Sequence, residues 1–160
     1  MTKDTRGFSL IELLIVIAII LIIAAIAIPN LLRSRMAANQ ASAVASLRTL
    51  NTSEATYSST YNIGYAGQLA YLGPPTGANP SSTGAGLVDS VLAAGTKSGY
   101  TFALTATAQD ANGNTTAYTI TAAPSTPGTT GQNYYFTDET GVIRQNTTGA
   151  AGSGDSPIGG

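Results

Sequence analysis

The chain contains no cysteine and no histidine, and charged residues make up only 9% of it. Without cysteine there are no disulfides, no Cys-type zinc sites and no thiol chemistry. The redox compartment stays open, because a secreted protein need not carry disulfides. Without histidine there is no Ser-His-Asp or Cys-His catalysis, no His-metal site and no His-based pH switch. Carboxylate chemistry survives this elimination in principle, but the acids are scattered: Asp4, Glu12, Glu54, Asp89, Asp110, Asp138, Glu139 and Asp155. The net charge of −1 gives the chain as a whole no attraction to nucleic acid. Gly, Ser, Thr, Ala and Asn are plentiful, which suits an extracellular surface rich in hydroxyl and amide groups. The 160 residues allow one domain plus an extended element.

The most informative segment is the first. Residues 1–7, MTKDTRG, are short and polar, with Lys3 and Arg6. An apolar stretch follows from Phe8 to Ile28, interrupted only by Ser9 and Glu12. As a helix it would extend roughly 32 Å at about 1.5 Å per residue, matching a hydrocarbon core of about 30 Å. Apolar residues lie on every face, so this is not an amphipathic surface helix. Its unbroken length favours a membrane helix over a strand, despite the β-branched Ile and Val. An ionised carboxylate in lipid costs about 2.5 kcal/mol or more, so Glu12 marks either function or a group held at the interface or protonated. Two rival readings stay in view. Ala25-Ile26-Ala27 fits the A-x-A site of an ordinary signal peptide, although the run is long and Glu12 lies inside it. A simple membrane anchor is the other. Lys3 and Arg6 at one end balance Arg33 and Arg35 at the other, so charge alone does not orient the span.

The stretch GFSLIELLIVIAIILIIAAIAIPN resembles the processing and assembly segment of the type IV pilin superfamily. There a short basic leader ends in Gly, a Phe follows, a Glu lies four residues beyond it, and a long apolar run carries a Pro near its end. These elements stand here as Gly7, Phe8, Glu12 and Pro29, within about the first 30 residues. The resemblance implies a leader of residues 1–7 cut after Gly7 by a prepilin peptidase, and N-methylation of the new Phe8 amine. It also implies a Glu12 that pairs with the Phe8 amine of a neighbouring subunit, and an N-terminus in the cytoplasm before assembly. A lone carboxylate in a filament core is expensive and an ammonium partner offsets its desolvation, so such a pair acts more as a register device than as net glue.

From Pro29 to about Tyr61 the sequence still reads helical, giving a membrane and stem helix over 8–61. Pro29 removes one backbone donor and clashes with the carbonyl of Ala25, so a bend is expected there. Ala43, Leu47, Leu50, Glu54, Tyr57 and Tyr61 recur at three- and four-residue spacing and form one face, with Asn39, Ser42, Ser46, Thr49 and Ser53 opposite. That stripe is read as packing on a small sheet, with an aromatic path along a filament as the rival. Arg33 and Arg35 suit snorkelling to lipid phosphates; two arginines do not argue for DNA binding.

Residues 62–146 read as a β-rich head. Residues 62–86 form a long loop pinned by Tyr65, Leu69, Tyr71 and Leu72, and Leu87–Ala94 a short helix ended by Gly95. Tyr100–Thr107 and Thr115–Ala122 alternate as strands around an Asn112-Gly113 hairpin, and Asn133–Thr137 with Val142–Gln145 make a second hairpin. The segments GYTF and YYFTDETGVIR are similar to the C-terminal sheet of pilins and pseudopilins, but the Cys pair that closes a loop in many pilins is missing. Asp110, Asn112 and Asn114 offer oxygens at alternate positions, as in calcium loops, but no Glu closes the loop at EF-hand spacing and a plain turn is favoured. Asp138 and Glu139 are adjacent and diverge, which argues against a catalytic pair. The Gly-rich segment 147–160 reads as a flexible tail.

The fold class expected is therefore α+β: a long N-terminal helix, membrane-spanning in its first half, packed against an antiparallel sheet of three to four strands. The function expected is a structural subunit of a type IV pilus-like filament, not an enzyme, with no cofactor and no metal. Its implied partners are other copies of itself, a prepilin peptidase, an inner-membrane platform, a cytoplasmic assembly ATPase and membrane lipid, with no clear nucleic-acid site. The precursor would sit in the bacterial inner membrane and the product outside the cell. The alternative is a pseudopilin of a type II secretion system, forming a periplasmic piston. A β-rich enzyme or a lectin-like binding head is a third class.

Overall fold

The structure, a computed structural model, describes residues 8–159. The expected leader 1–7, with Gly7 on one side of the expected cleavage point, lies outside the described residues. The chain divides into two compact units, residues 1–35 and 36–160. Helix α1, Leu10–Tyr61, contributes to both and includes Pro29.

In the first unit the helix is apolar all round, and its large side chains are exposed on every face, from Phe8, Leu10 and Ile11 to Ile28 and Leu31. It is long and apolar enough to cross a membrane. A helix satisfies its backbone groups internally, so an Ile- and Val-rich run destined for lipid adopts it whatever its β-propensity.

The second unit is built on the other half of α1. Ala43, Ser46, Leu47, Leu50, Ser53, Glu54 and Tyr57 are its buried positions. The expected stripe is thus present, and Tyr61 packs at its end. The face read as opposite is partly turned inward, however. Ser46 and Ser53 are buried. Asn39 donates to the carbonyl of Thr130 at 2.8 Å and Ser42 bonds Ser98 at 2.9 Å. The covered arc is wider than an apolar count suggests, because small hydroxylated residues flank the Leu and Tyr ridge and allow close approach.

Against that arc lies an antiparallel sheet whose six strands follow one another in sequence order. They are β1 Thr96–Lys97, β2 Tyr100–Gln109, β3 Thr115–Pro124, β4 Tyr134–Asp138, β5 Arg144–Asn146 and β6 Ser156–Pro157. The three to four strands expected from the sequence correspond to β2–β5. The two additions, β1 and β6, are two residues each, too short to show alternation. Register places Phe102, Ala122 and Tyr135 in one row across β2–β4, and Leu104, Ile120 and Thr137 in the next. These rows face the helix stripe, where Asn51 links it to the sheet by donating to Thr137 Oγ1 at 2.9 Å and accepting from Tyr118 Oη at 3.3 Å.

Two connections are more ordered than their composition indicates. The loop after α1 contains a short helix, α2 Leu69–Leu72, whose Leu69 and Leu72 are buried. The expected Leu87–Ala94 helix is shortened to α3, Ser90–Ala93, because Asp89 caps it by accepting from Leu92 N at 2.8 Å. Leu87 and Val88 precede it, and Val91 is exposed. The expected flexible tail carries β6. Ile158 N donates to the carbonyl of Ile143 at 2.9 Å, and Asp155 accepts from Gly152 N and Asn146 Nδ2 while its carbonyl accepts from Arg144. One aspartate thereby gathers the last loop by polar bonds, in a Gly-rich segment with few large apolar residues.

Leu50 is fully buried in the ridge. Leu50→Ala is expected to destabilise the second unit by about 2–5 kcal/mol. Denaturant unfolding of the full chain in micelles, followed by tyrosine near-UV circular dichroism, checks this; a midpoint equal to wild type would contradict the packing described.

Candidate functional site

The residues singled out at the N-terminus are Phe8, Glu12 and Pro29. Phe8 precedes α1 and is 78% exposed. Glu12 lies in the first turn, where the unpaired backbone N–H groups favour a negative charge. Its Oε2 accepts from the backbone N–H of Ser9 at 2.9 Å. Ser9-Leu10-Ile11-Glu12 is the S-x-x-E pattern of a capping box, in which the acid reaches back to the residue that begins the helix. The apolar context drew attention to the carboxylate and away from this local role, although the pattern stood in the sequence. Within this unit Glu12 therefore fixes where the helix starts. Pro29 sits inside α1, and Arg33 and Arg35 are exposed beyond it.

The remaining acids divide by environment. Asp89 pairs with Lys97 at 2.8 Å, and that bond leads the interactions holding its pKa below the ordinary value. Asp110 is held down chiefly by the backbone N–H of Asn114, and it also accepts from Asn112 N and Asn114 Nδ2. Its carboxylate closes the hairpin, with Gly113 at φ +83° completing the turn. Asp138 likewise accepts from Thr140 within its own turn. Among the described residues no three acids converge to hold a metal ion.

Glu54 differs from all of these. It is fully buried on the stem stripe. Its Oε2 accepts from Ala66 N at 2.7 Å, and its Oε1 has no partner. Burial lifts its pKa from 4.5 to about 7, against the lowering effect of the Ala66 bond. The neighbouring Tyr57 and Tyr118 hydroxyls are raised too, first by burial and then by the Glu54 charge. Spacing placed Glu54 on the inward face, but only the packed structure reveals an acid there without a cation.

Residues 2–28 match the family described as the prokaryotic N-terminal methylation motif. Over 37 residues the chain is 65% identical to the type IV wide pilus major component PilA4 of Thermus thermophilus, covering 23% of this chain and 28% of that protein. Over 52 residues it is 48% identical to the type IV major pilin protein PilA of Myxococcus xanthus, covering 32% of this chain and 24% of that protein. The matched segments thus span about a quarter of the length of these relatives. No solved structure matches the chain. A membrane-length helix that begins at Leu10, just after Phe8, and whose later part backs an antiparallel sheet defines a chain of α+β class with a candidate membrane anchor. The motif and the two relatives support its assignment as a precursor of the type IV pilin superfamily.

The folded chain holds the Glu54 proton more tightly than the unfolded chain does. Its contribution to stability is therefore full below pH 4.5 and is lost as pH rises to about 7. At about 1.4 kcal/mol per pKa unit the loss amounts to roughly 3 kcal/mol. Asp89 and Asp110, with lowered values, titrate below this window. Wild type is expected to unfold at lower denaturant at pH 8 than at pH 5. Glu54→Gln, which keeps an acceptor for Ala66 N, removes most of that difference; an unchanged pH profile in the variant would assign the effect elsewhere.

Proposed function

We propose that the chain is a structural subunit of a type IV pilus-like filament. The observation that carries this is the pairing of the methylation motif with an apolar run, Phe8–Ile28, whose only acid stands four residues after Phe8. In this reading a prepilin peptidase removes residues 1–7, the Phe8 amine is methylated, and the helix holds the subunit in the inner membrane with its N-terminus in the cytoplasm. Assembly moves that helix from lipid into a filament core. The transfer gains little hydrophobic energy, because lipid is already apolar. Packing, the charge pair of Glu12 with a neighbour's Phe8 amine, and work from a cytoplasmic ATPase acting through a membrane platform supply the drive. Pro29 gives the helix a place to bend. A heterologous contact that does not close then propagates as a helix of subunits. Both relatives are named as type IV pilus components, which favours a surface pilus over the piston of a secretion system.

Mass spectrometry of the mature N-terminal peptide from the native host is expected to show N-methylated Phe8. A start at Ile28 would mean signal-peptide cleavage after Ala27 and would remove Glu12 from the product. An intact Met1 would leave a simple anchor. Mature subunits that sustain protein export without surface fibres would place the chain in a secretion system.

Glu12 has two roles to separate, since it also caps α1. Glu12→Gln keeps an acceptor for Ser9 N–H and loses only the charge. Both Glu12→Ala and Glu12→Gln are expected to leave subunits in the membrane and cut filament yield by about tenfold or more, as loss of a buried charge partner implies. Wild-type yield from the Gln variant would reduce Glu12 to a helix cap.

A further inference from the structure

The loop that follows α1 is pressed onto the start of β3. Gly64 lies at φ +81°, and a Cβ there would meet the Thr115 carbonyl oxygen at 2.1 Å, so only glycine permits the approach. Tyr65 N then donates to that carbonyl at 2.9 Å. The arrangement leaves a cleft of about 480 Å³ between the end of the stem, this loop and the β2–β3 hairpin. Its volume falls within the range of about 300–1,000 Å³ typical of small-molecule sites.

Three tyrosines and three amides do most of the lining: Tyr57, Tyr65, Tyr71, Gln68, Gln109 and Asn114. No Lys, Arg, Asp or Glu lines it. The rings are held from behind. Tyr57 donates its hydroxyl to the Ser82 carbonyl at 2.7 Å, and Tyr65 packs edge-on against Tyr118 with centroids 4.8 Å apart. Tyr65 and Tyr71 are half-buried. Gln68 and Gln109 are exposed, and their amides make no hydrogen bond among the described residues. Gln68 immediately precedes α2 without capping it. Asn114 spends its Nδ2 on Asp110, which leaves its side-chain carbonyl unengaged.

Aromatic faces combined with uncharged, uncommitted amides suit a ligand with apolar C–H faces and a girdle of hydroxyls. We propose that this cleft binds a neutral saccharide, with a pyranose ring laid on Tyr65 or Tyr71 and its hydroxyls bonded by Gln68, Gln109 and Asn114. An anionic ligand finds no cation here. A quaternary ammonium group would also pack on tyrosine rings, but it offers the amides nothing to bond and meets no lining carboxylate. The site belongs to the second unit alone.

The test is a glycan array, followed by saturation-transfer NMR, on the full chain in amine-oxide micelles, whose headgroups carry neither sugar nor choline. Neutral saccharides are expected to bind and charged glycans without a neutral terminal ring are not. Tyr71→Ala and Gln68→Ala should each weaken binding by about threefold to tenfold. Gln68→Ala removes an exposed amide with no structural partner, so its thermal unfolding should match wild type even if the tyrosine variant is destabilised. The proposal is overturned if no neutral saccharide binds, if folded Gln68→Ala binds as wild type does, or if choline displaces the sugar at comparable concentration.

Discussion

The second unit depends on one contact: the ridge of Ala43, Leu47, Leu50 and Tyr57 laid across the inward rows of the sheet. A single antiparallel sheet cannot bury its own apolar face and needs a second layer. Here one half of a helix is the spine of that layer. Ser46 and Ser53 are buried beside the ridge, Ser53 donating to the Leu87 carbonyl at 3.4 Å, and Asn51 ties the helix to both Thr137 and Tyr118. Every other element is placed relative to this contact. The loop carrying α2 and α3 closes one side with Leu72, Val88 and Leu92, and the late strands extend the sheet.

Into this layer the chain has put an acid. Glu54 occupies a ridge position where Leu would serve packing better, and one of its oxygens goes unbonded. Its Ala66 bond nevertheless anchors the loop that carries Tyr65 and Gln68, and so shapes the cleft. A buried polar contact of this kind gives up stability for a defined loop path. The same economy of charge runs through the hairpins, where Asp110, Asp138 and Asp155 each gather neighbouring N–H groups or hydroxyls. In a head without disulfides, these short-range bonds set the connections that covalent links would otherwise hold.

The first unit follows a different solvent. Its apolar side chains are exposed on all faces, and the only acid in the run is engaged at the helix start. In the proposed filament that acid would exchange a backbone N–H for a neighbour's ammonium. A group able to satisfy itself locally until a better partner arrives avoids a bare charge in lipid before assembly.

Much of this was legible in order of residues. The apolar run that forms the first part of α1, the three-four spacing of the stem ridge, and the strands around Asn112-Gly113 are periodic or local signals, and such signals survive in one dimension. Even the capping role of Glu12 was present as S-x-x-E. What only the tertiary structure decided depends on residues far apart in the chain. The inward turn of Ser46 and Ser53, the two-residue strands β1 and β6, the gathering of the last loop by Asp155, the raised pKa of Glu54 and the cleft of three tyrosines all belong to this group. Burial, partnership and cavity shape are properties of what surrounds a residue, and no spacing rule along the chain records which distant neighbour will be there.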